Sequence, residues 1–226
     1  MKITYYGHSC FGITTKTSSL LFDPFIRPNE LAKKIEVDKI PCDYMLISHG
    51  HEDHVADALE IAKRTNSRIV SNFEIVSWFE KQGINQIHPM NIGGEWNFDF
   101  GSVRMVNAVH SSVLPDGTYG GNPGGFLLNI EGKQIYYAGD TALHMDMKLI
   151  AELWKPDIAF LPIGDNFTMG INDARIASDF IDCNEIIGMH YDTFPYIVID
   201  REKAIQTFKK SNKKLTLINI GDSINF

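Results

Sequence analysis

The stretch Tyr-Met-Leu-Ile-Ser-His-Gly-His-Glu-Asp-His-Val, residues 44–55, decides the interpretation of this chain. Its apolar first four residues are typical of a buried strand. The polar residues that follow lead into a segment whose apolar side chains, from Val55 to Ala62, recur at helical spacing. The sequence therefore predicts a strand, a loop and a helix, with the polar cluster at the carboxyl end of the strand. Open α/β architectures place their functional sites at this position.

The loop contains four side chains that can bind a metal ion, namely His49, His51, Asp53 and His54. Side chains two residues apart in an extended segment point the same way, so we expect His49 and His51 to bind one ion. Asp53 and His54, at the turn into the helix, are then free to face a second ion. The alternative is a solvated loop with a helix-capping Asp, but three His and one Asp in so short a loop favour a metal site.

Three further candidate ligands lie in a matching position, because each follows the end of a predicted buried strand. A single residue of this kind is often a packed or rim side chain, whereas the repetition favours one shared site. The three residues are His110, Asp140 and His190, which follow residues 103–109, 136–139 and 186–189. The remaining His88 and His144 lack this context, and we expect them to be solvated.

The order of elements predicts an α/β fold in one domain over residues 1–226, since no linker or low-complexity segment divides the chain. Hairpins are too numerous for a doubly wound sheet, so two packed sheets with helices outside are expected. One helix is predicted around Ala174, Ala177 and Ile181, capped by Asn172 or Asp173, and another over 201–209. The predicted strands are 3–6, 11–15, 19–22, 44–47, 68–71, 103–109, 125–130, 133–138, 158–163, 185–189 and 215–220.

The charge balance limits the classes of partner. Lys and Arg number 21 against 28 Asp and Glu, which gives a net charge of −7. This charge is a poor match to nucleic acid or an anionic membrane, and we expect neither as a partner. No signal segment or membrane span is apparent, so we expect a cytoplasmic protein. Cys10, Cys42 and Cys183 are widely spaced, which predicts reduced, buried thiols rather than disulfides or a thiolate metal site.

The His-x-His-x-Asp-His loop followed by His, Asp and His resembles the metallo-β-lactamase superfamily. The resemblance implies a four-layer αββα sandwich, in which two mixed β-sheets are flanked by helices. It also implies two bound metal ions at one edge of the sheets. By this resemblance, His49, His51 and His110 hold the first metal, Asp53, His54 and His190 hold the second, and Asp140 bridges both.

Shorter motifs look like the small "metal-dependent hydrolase" branch that is related to ascorbate-6-phosphate lactonase. They are Gly-His-Ser-Cys-Phe at 7–11, Gly-Asp-Thr at 139–141, and the segments 161–170 and 189–195. Substrates in this branch are largely unassigned, so the resemblance implies a mechanism rather than a metabolite. Glu52 departs from the small residue that is frequent in the branch, and we expect its side chain to face solvent.

Nitrogen and carboxylate ligands without thiolate suit Zn(II), with Mn(II), Fe(II) and Ni(II) as alternatives. Two such ions can activate a bridging hydroxide and stabilise an oxyanion, which predicts hydrolysis of a small ester, lactone, amide or phosphodiester. Asp53 is the candidate for moving the proton to the leaving group. The alternative functions are an RNA-processing nuclease and a metal-binding protein without catalysis.

Other side chains are candidates for the reaction or for substrate binding. His8 is a candidate catalytic residue that polarises a substrate oxygen or supports the metal site, and a structural hydrogen bond between strands is the alternative. Residues that follow two predicted strands are expected to contact a small-molecule substrate, although an ordinary loop would also explain the first group. These candidates are Asp165, Thr168 and Met169, and then Thr193 and Phe194. Whether the chain forms a homo-oligomer is left open.

Overall fold

Two seven-stranded β-sheets pack face to face, and helices cover their outer faces. The computed structural model describes residues 1–226. The strands are β1 (Lys2–Gly7), β2 (Cys10–Thr14), β3 (Ser19–Phe22), β4 (Tyr44–Leu46), β5 (Arg68–Asn72), β6 (Ile87–Met90), β7 (Glu95–Phe98), β8 (Gly101–Asn107), β9 (Gly124–Ile130), β10 (Lys133–Tyr137), β11 (Ile158–Pro162), β12 (Glu185–Met189), β13 (Lys214–Thr216) and β14 (Ser223–Asn225). The helices are α1 (Glu52–Val55), α2 (Ala58–Thr65), α3 (Phe73–Lys81), α4 (Met147–Leu153), α5 (Ile171–Phe180) and α6 (Arg201–Lys209). The predicted fold class is confirmed.

Both sheets are mixed. The first has the order β14-β1-β2-β3-β4-β5-β6, antiparallel from β14 to β3 and parallel from β3 to β6. The second has the order β13-β12-β11-β10-β9-β8-β7, parallel from β13 to β10 and antiparallel from β10 to β7. The carboxyl ends of parallel strands lie at one edge of a sheet. The candidate ligands follow the ends of strands in the sequence, so they are brought to this edge.

Strand β4 shows how the sequence builds the two apolar layers. Successive side chains point to opposite faces of a sheet. Tyr44 and Leu46 therefore join the large core that includes residues of both sheets, while Met45 joins the smaller core shared with α2 and α3. All three side chains are buried, which explains why the strand reads as a continuous apolar run.

Two helix predictions are corrected at their boundaries. The helix expected from Val55 is divided into α1 and α2, because the backbone amide of Asp57 between them donates to the carbonyl of Pro24 at 3.0 Å instead of to that of Asp53. The next correction concerns α5, whose N-cap is Gly170.

The amide of Ala174 donates to the Gly170 carbonyl at 2.9 Å, so Asn172 and Asp173 lie inside the first turn of α5 rather than at its cap. An acidic residue in this turn interacts favourably with the helix dipole. The prediction of a helix in this segment is correct, but α5 begins at Ile171, before the predicted cap at Asn172 or Asp173.

The predicted hairpin of β9 and β10 is confirmed. Glu131 and Gly132 connect the strands with φ values of 52° and 77°, as a type I′ turn requires. The strand predicted at 215–220 is shorter than expected, because β13 ends at Thr216. Several elements were not predicted from the sequence, namely α3, α4, β6, β7 and β14.

Neither of the two remaining histidines is fully solvated. The ring of His88 lies 4.8 Å from that of Phe98 and 5.1 Å from that of Trp96. Both ring nitrogens of His144 are buried without a hydrogen-bond partner. Burial lowers the pKa of both imidazoles, so the expectation of solvation is corrected.

The longest helix has ten residues, and none has the length and apolar character needed to cross a bilayer.

Candidate metal centre

The seven sequence-predicted ligands meet at one edge of the two sheets. His49 and His51 lie in the loop after β4, and Asp53 and His54 lie on α1. The other three follow strands of the second sheet, so the site is assembled from both sheets. They are His110 after β8, Asp140 after β10 and His190 directly after β12.

Asp140 lies at the centre of this cluster. Its Oδ2 atom is 3.0 Å from Nε2 of His190 and 3.3 Å from Nε2 of His54. The same atom is 3.6 Å from Nε2 of His110 and 3.9 Å from Nε2 of His49. One carboxylate oxygen thus lies within 4 Å of four imidazole nitrogens from three separate segments of the chain, which is the arrangement expected of a bridging ligand.

The donor atoms of the predicted ligands other than Asp140 fall into two groups, and a third group joins His49 and His54 to the carboxylate of Asp23. Within each group, the atoms that could bind a metal lie within 4.8 Å of one another. One group consists of His49, His51 and His110, and the other contains Asp53, His54, His190 and, in addition, His8. The structure therefore brings together the two sets that the resemblance implies and places His8 beside the second.

A buried carboxylate, Asp23, fixes the orientation of ligands in both groups. Its Oδ2 accepts hydrogen bonds from Nδ1 of His54 at 2.9 Å, from the Ser48 hydroxyl at 2.6 Å and from the Tyr137 hydroxyl at 2.7 Å. Because Ser48 donates to Asp23, its oxygen accepts from Nδ1 of His49 at 3.0 Å. Nδ1 of both imidazoles is engaged in these hydrogen bonds, so Nε2 is the nitrogen through which His49 and His54 would bind a metal.

Sequence reasoning missed Asp23, although a signal was present. Asp23 directly follows the predicted strand 19–22, the same placement that singled out the later ligands. Its carboxylate is fully buried, and the backbone amide of Ser48 donates to its Oδ1 at 2.8 Å. The position of Asp23 after a strand therefore indicates a functional residue, but its function is to orient the ligands His49 and His54 by hydrogen bonds.

The charges at the centre oppose each other strongly. Burial disfavours ionisation of Asp140, but the imidazoles of His190 and His54 outweigh it and hold the pKa of its carboxyl well below its usual value. Burial likewise disfavours the imidazolium of His190, but the Asp140 and Asp53 carboxylates outweigh it and raise its pKa to about 9. For His54, burial is outweighed by Asp140, Asp23 and Asp53, and its pKa is also raised. Positive charge is thus strongly favoured beside these carboxylates.

The site fits divalent cations on a second ground. Nε2 of His54 and Oδ1 of Asp140 are buried and have no hydrogen-bond partner in the protein. Buried polar atoms are normally paired, so atoms left free in a cluster of ligand-type side chains call for an ion. The donors are imidazole nitrogens and carboxylate oxygens without thiolate, a set that suits Zn(II), Mn(II), Fe(II) or Ni(II).

His8 contacts the candidate catalytic carboxylate. Its Nε2 lies 3.1 Å from Oδ2 of Asp53, and its Nδ1 lies 2.9 Å from the Thr193 hydroxyl. Burial, followed by the neighbouring His190, lowers the pKa of His8 to about 4, so the ring is neutral near pH 7. A carboxylate only accepts, so Nε2 donates to Asp53 and Nδ1 accepts from Thr193.

An open cavity of about 450 Å³ lies over the cluster. Its lining combines metal-type ligands with aromatic side chains. The lining residues are His51, Asp53, His110, Ser111, Asp140, Phe167, His190, Phe194, Pro195 and Tyr196. Of the predicted substrate contacts, only Phe194 lines this cavity. Glu52 is exposed, as expected.

The other predicted substrate contacts lie elsewhere. Met169 is fully buried in the core, and Asp165 lines a separate cavity beside α5. Thr168 does not line the metal-site cavity, and Thr193 lies behind His8 in a smaller cavity with Arg201. Asp165, Thr168 and Met169 therefore do not line the cavity over the cluster, and their contact with a substrate stays a prediction.

Phe167 and Tyr196 reach the cavity instead, and sequence reasoning missed both. They lie beside residues that were selected, one position before Thr168 and two after Phe194. The signal in the sequence was that Phe167 and Tyr196 are large aromatic residues within loops that were already predicted to contact substrate.

Comparison with known proteins gives a consistent result. Residues 2–190 match the β-lactamase superfamily domain. A UPF0173 metal-dependent hydrolase of Christiangramia forsetii is 56% identical over 225 residues, which is 99% of each chain. The UPF0173 metal-dependent hydrolase YtkL of Bacillus subtilis is 45% identical over 229 residues, again 99% of each chain.

Solved structures show the same architecture. Igni18, a metallo hydrolase from the archaeon Ignicoccus hospitalis, has a TM-score of 0.90 and 34% identity, and the match covers 100% of this chain and 97% of that one. The isothiocyanate hydrolase from Delia radicum gut bacteria has a TM-score of 0.81 at 20% identity, covering 100% and 99%. At that identity, the second likeness concerns the fold alone.

Proposed function

The chain belongs to the UPF0173 metal-dependent hydrolases of the β-lactamase superfamily, and from this premise we propose that it is a dinuclear hydrolase acting on a small molecule. The substrate is a small ester, lactone, amide or phosphodiester. The observation that carries the proposal is the position of Asp140 Oδ2 within 4 Å of four imidazole nitrogens. A carboxylate surrounded by four imidazoles is better suited to contact two metal ions than a single one.

The ligands would divide between two ions on either side of Asp140, and Zn(II) is the first candidate metal. When bound, such ions supply a water molecule of lowered pKa and positive charge for the developing oxyanion. One ion would be held by His49, His51 and His110, the other by Asp53, His54 and His190, and Asp140 would contact both.

Asp53 is placed to handle the proton of the reaction. Its carboxylate lines the cavity and is about a quarter exposed, whereas Asp140 is almost fully buried. Burial disfavours its ionisation, but His54, His190 and His8 outweigh this effect and hold its pKa well below its usual value. The hydrogen bond from His8 orients Asp53 toward the cavity, so His8 acts as a positioning residue in this reaction.

Two alternative functions are less well supported. A nuclease needs Lys or Arg to bind phosphates, and neither residue type lines the cavity. A metal-binding protein without catalysis would not need an open cavity over the ligands, with a carboxylate exposed to it.

Metal analysis and turnover together test the proposal. Protein purified from metal-supplemented medium is expected to contain two transition-metal ions per chain by mass spectrometry and to hydrolyse members of a panel of lactones, aryl esters and bis-p-nitrophenyl phosphate. His51→Ala and Asp140→Ala are expected to abolish hydrolysis while circular dichroism stays native. Asp57→Asn alters a buried carboxylate that is not a predicted ligand and accepts from the amides of Ile26 and Arg27, and it is the matched control. Undiminished hydrolysis in the two ligand variants would overturn the proposal.

A further inference from the structure

Part of the cavity lining is aromatic and consists of Phe167, Phe194 and Tyr196, and these residues are called the aromatic wall below. The ring of Phe167, in the loop after β11, meets that of Tyr196 edge to face, with centroids 6.2 Å apart. Phe167 is 50% exposed and Tyr196 is 74% exposed. Both rings thus present much of their surface to solvent at the mouth of the site.

Phe194 forms the inner part of this wall and is held by other rings. Its centroid lies 5.4 Å from that of His8, in an edge-to-face arrangement, and 6.2 Å from that of Phe25. The ring is therefore fixed by its neighbours before any ligand arrives. A binding surface that is already ordered loses less entropy when a ligand binds.

The charge of the lining adds a second restriction. Apart from the aromatic wall with Pro195, the lining residues are His, Asp and Ser, and no Lys or Arg is among them. Bound cations would act on the reacting group of a substrate. A charged substituent directed away from them would meet aromatic rings without a basic partner, and burying an unpaired charge is costly.

We propose that the substrate carries an uncharged aromatic group beside its hydrolysable bond, and that Phe167, Phe194 and Tyr196 bind this group. This inference rests on the proposed function and narrows it. Esters, lactones, amides and phosphodiesters with an uncharged aryl substituent all fit this arrangement, because the reacting group of each would face the bound cations and only the aryl group would meet the rings. Ring stacking and apolar contact are the interactions that the wall offers.

Binding of hydroxamic acids to the metal-loaded protein tests the inference without relying on turnover. The hydroxamate group chelates divalent metals, so the affinity of acetohydroxamic acid measures the metal site alone. Phenylacetohydroxamic acid adds a phenyl ring, and 4-carboxyphenylacetohydroxamic acid adds a charge to that ring. In isothermal titration calorimetry, we expect the phenyl ligand to bind at least about tenfold more tightly than acetohydroxamic acid. The added carboxylate is expected to remove this preference.

Variants assign the preference to the wall. Phe167→Ala and Tyr196→Ala are each expected to reduce the preference for the phenyl ligand by about 2- to 12-fold. The affinity for acetohydroxamic acid should not change. Phe73→Ala, which truncates a 60% exposed Phe that does not line the cavity, is the matched control and should leave all three affinities unchanged. Phe167→Lys is expected to improve binding of the carboxyphenyl ligand.

The outcomes separate this inference from the proposed function. If no hydroxamate binds, both are overturned, because a metal site open to ligands is absent. If the hydroxamates bind with no preference for the phenyl group, or with the same loss in Phe73→Ala, only the aromatic assignment fails. Equal affinity for the phenyl and carboxyphenyl ligands would overturn the requirement for an uncharged group.

Discussion

The Oδ2 atom of Asp23 accepts a hydrogen bond from Nδ1 of His54 at 2.9 Å. The same oxygen receives the hydroxyl of Ser48, which in turn accepts from His49. One buried carboxylate therefore sets the proton position on one ligand of each proposed metal. It does so through the Nδ1 side of each ring, away from the Nε2 atom that would bind the metal. Loss of a group that orients a metal ligand in this way typically lowers metal affinity by about 10- to 100-fold.

Asp23→Asn is expected to lower metal affinity by about 10- to 100-fold. An amide in this position presents an N–H group to donors that need an acceptor, so His54 loses the partner that fixes its tautomer. Chelator competition followed by mass spectrometry measures the change. Asp57→Asn removes charge from another buried carboxylate, which accepts from the amides of residues 26 and 27 and lies 3.7 Å from Nε of Arg27, and it should leave metal affinity unaltered. Equal metal loss in both variants would show that the effect is one of folding.

Ser48→Ala should weaken only one of the two metals. The substitution removes the partner of His49 Nδ1 but leaves the hydrogen bond between His54 and Asp23 in place. We expect the variant to lose one ion at a chelator concentration at which the wild type keeps both, with the second ion retained. Simultaneous loss of both ions would contradict the separate roles assigned to the two groups.

Thr193→Val is expected to reduce kcat without changing metal content. The Thr193 hydroxyl is the partner of His8 Nδ1, and its loss frees the ring to adopt the tautomer that cannot donate to Asp53. The expected decrease is about 10- to 100-fold. It is measured at saturating substrate, with metal content determined on the same sample.

Thr193→Ser keeps a hydroxyl at this position and should restore most of the lost rate. If Thr193→Ser and Thr193→Val are equally impaired, the hydroxyl is not what holds His8, and the role of Thr193 is one of packing.

The metal cluster could be predicted because its residues are concentrated. Four candidate ligands fall between His49 and His54, and the others each end an apolar strand, so chemistry and position coincide in the sequence. The aromatic wall could not be predicted in the same way, because Phe167 and Tyr196 come from separate loops and meet only through the folded arrangement.

Edge strands were missed for a related reason. In β7, Glu95, Trp96 and Asn97 are all exposed, so the strand has no buried face to produce an alternating pattern. Strand β14 has three residues and is defined by its pairing with β1 at the other end of the chain. Strand β14 is thus decided by contact with a distant segment, whereas β7 is decided by its pairing with the neighbouring β8, and local periodicity reports neither.

Phe160→Ala is expected to lower the free energy of unfolding by about 3 to 5 kcal/mol. The ring of Phe160 in the second sheet packs edge to face on Phe11 of the first, with centroids 4.8 Å apart, and both side chains are buried. Phe73→Ala, at an exposed position, should change stability by no more than about 0.5 kcal/mol. Urea unfolding followed by circular dichroism and by Trp fluorescence measures both.

The same experiment tests the prediction of a single domain over residues 1–226. Because the shared core joins both sheets, we expect the two probes to give one coincident transition. Two separated transitions would mean that the sheets unfold independently and that this prediction is wrong.

The three thiols are expected to be unreactive in the folded protein and fully reactive after unfolding. Cys10, Cys42 and Cys183 are all buried and free. Burial raises the pKa of Cys42 to about 12 and that of Cys183 to about 11, and it also raises the pKa of Cys10. An unfolded thiol has a pKa of about 8.5, and only the thiolate reacts.

Ellman's reagent at pH 8 should therefore detect no thiol in the native protein and three in guanidinium chloride. The sign of the linked stability change follows from the same shifts. The folded thiols stay neutral above pH 8.5 while those of the unfolded chain ionise, so the free energy of unfolding should decrease as the pH rises from about 8.5 toward 11.

Cys10 gives the sharpest test, because it lies two residues from His8 in the sequence while its side chain packs in the core beneath α2 and α3. A native thiol at this position that reacts at pH 8 would show that Cys10 faces the metal site, and the packing role assigned to it would be wrong.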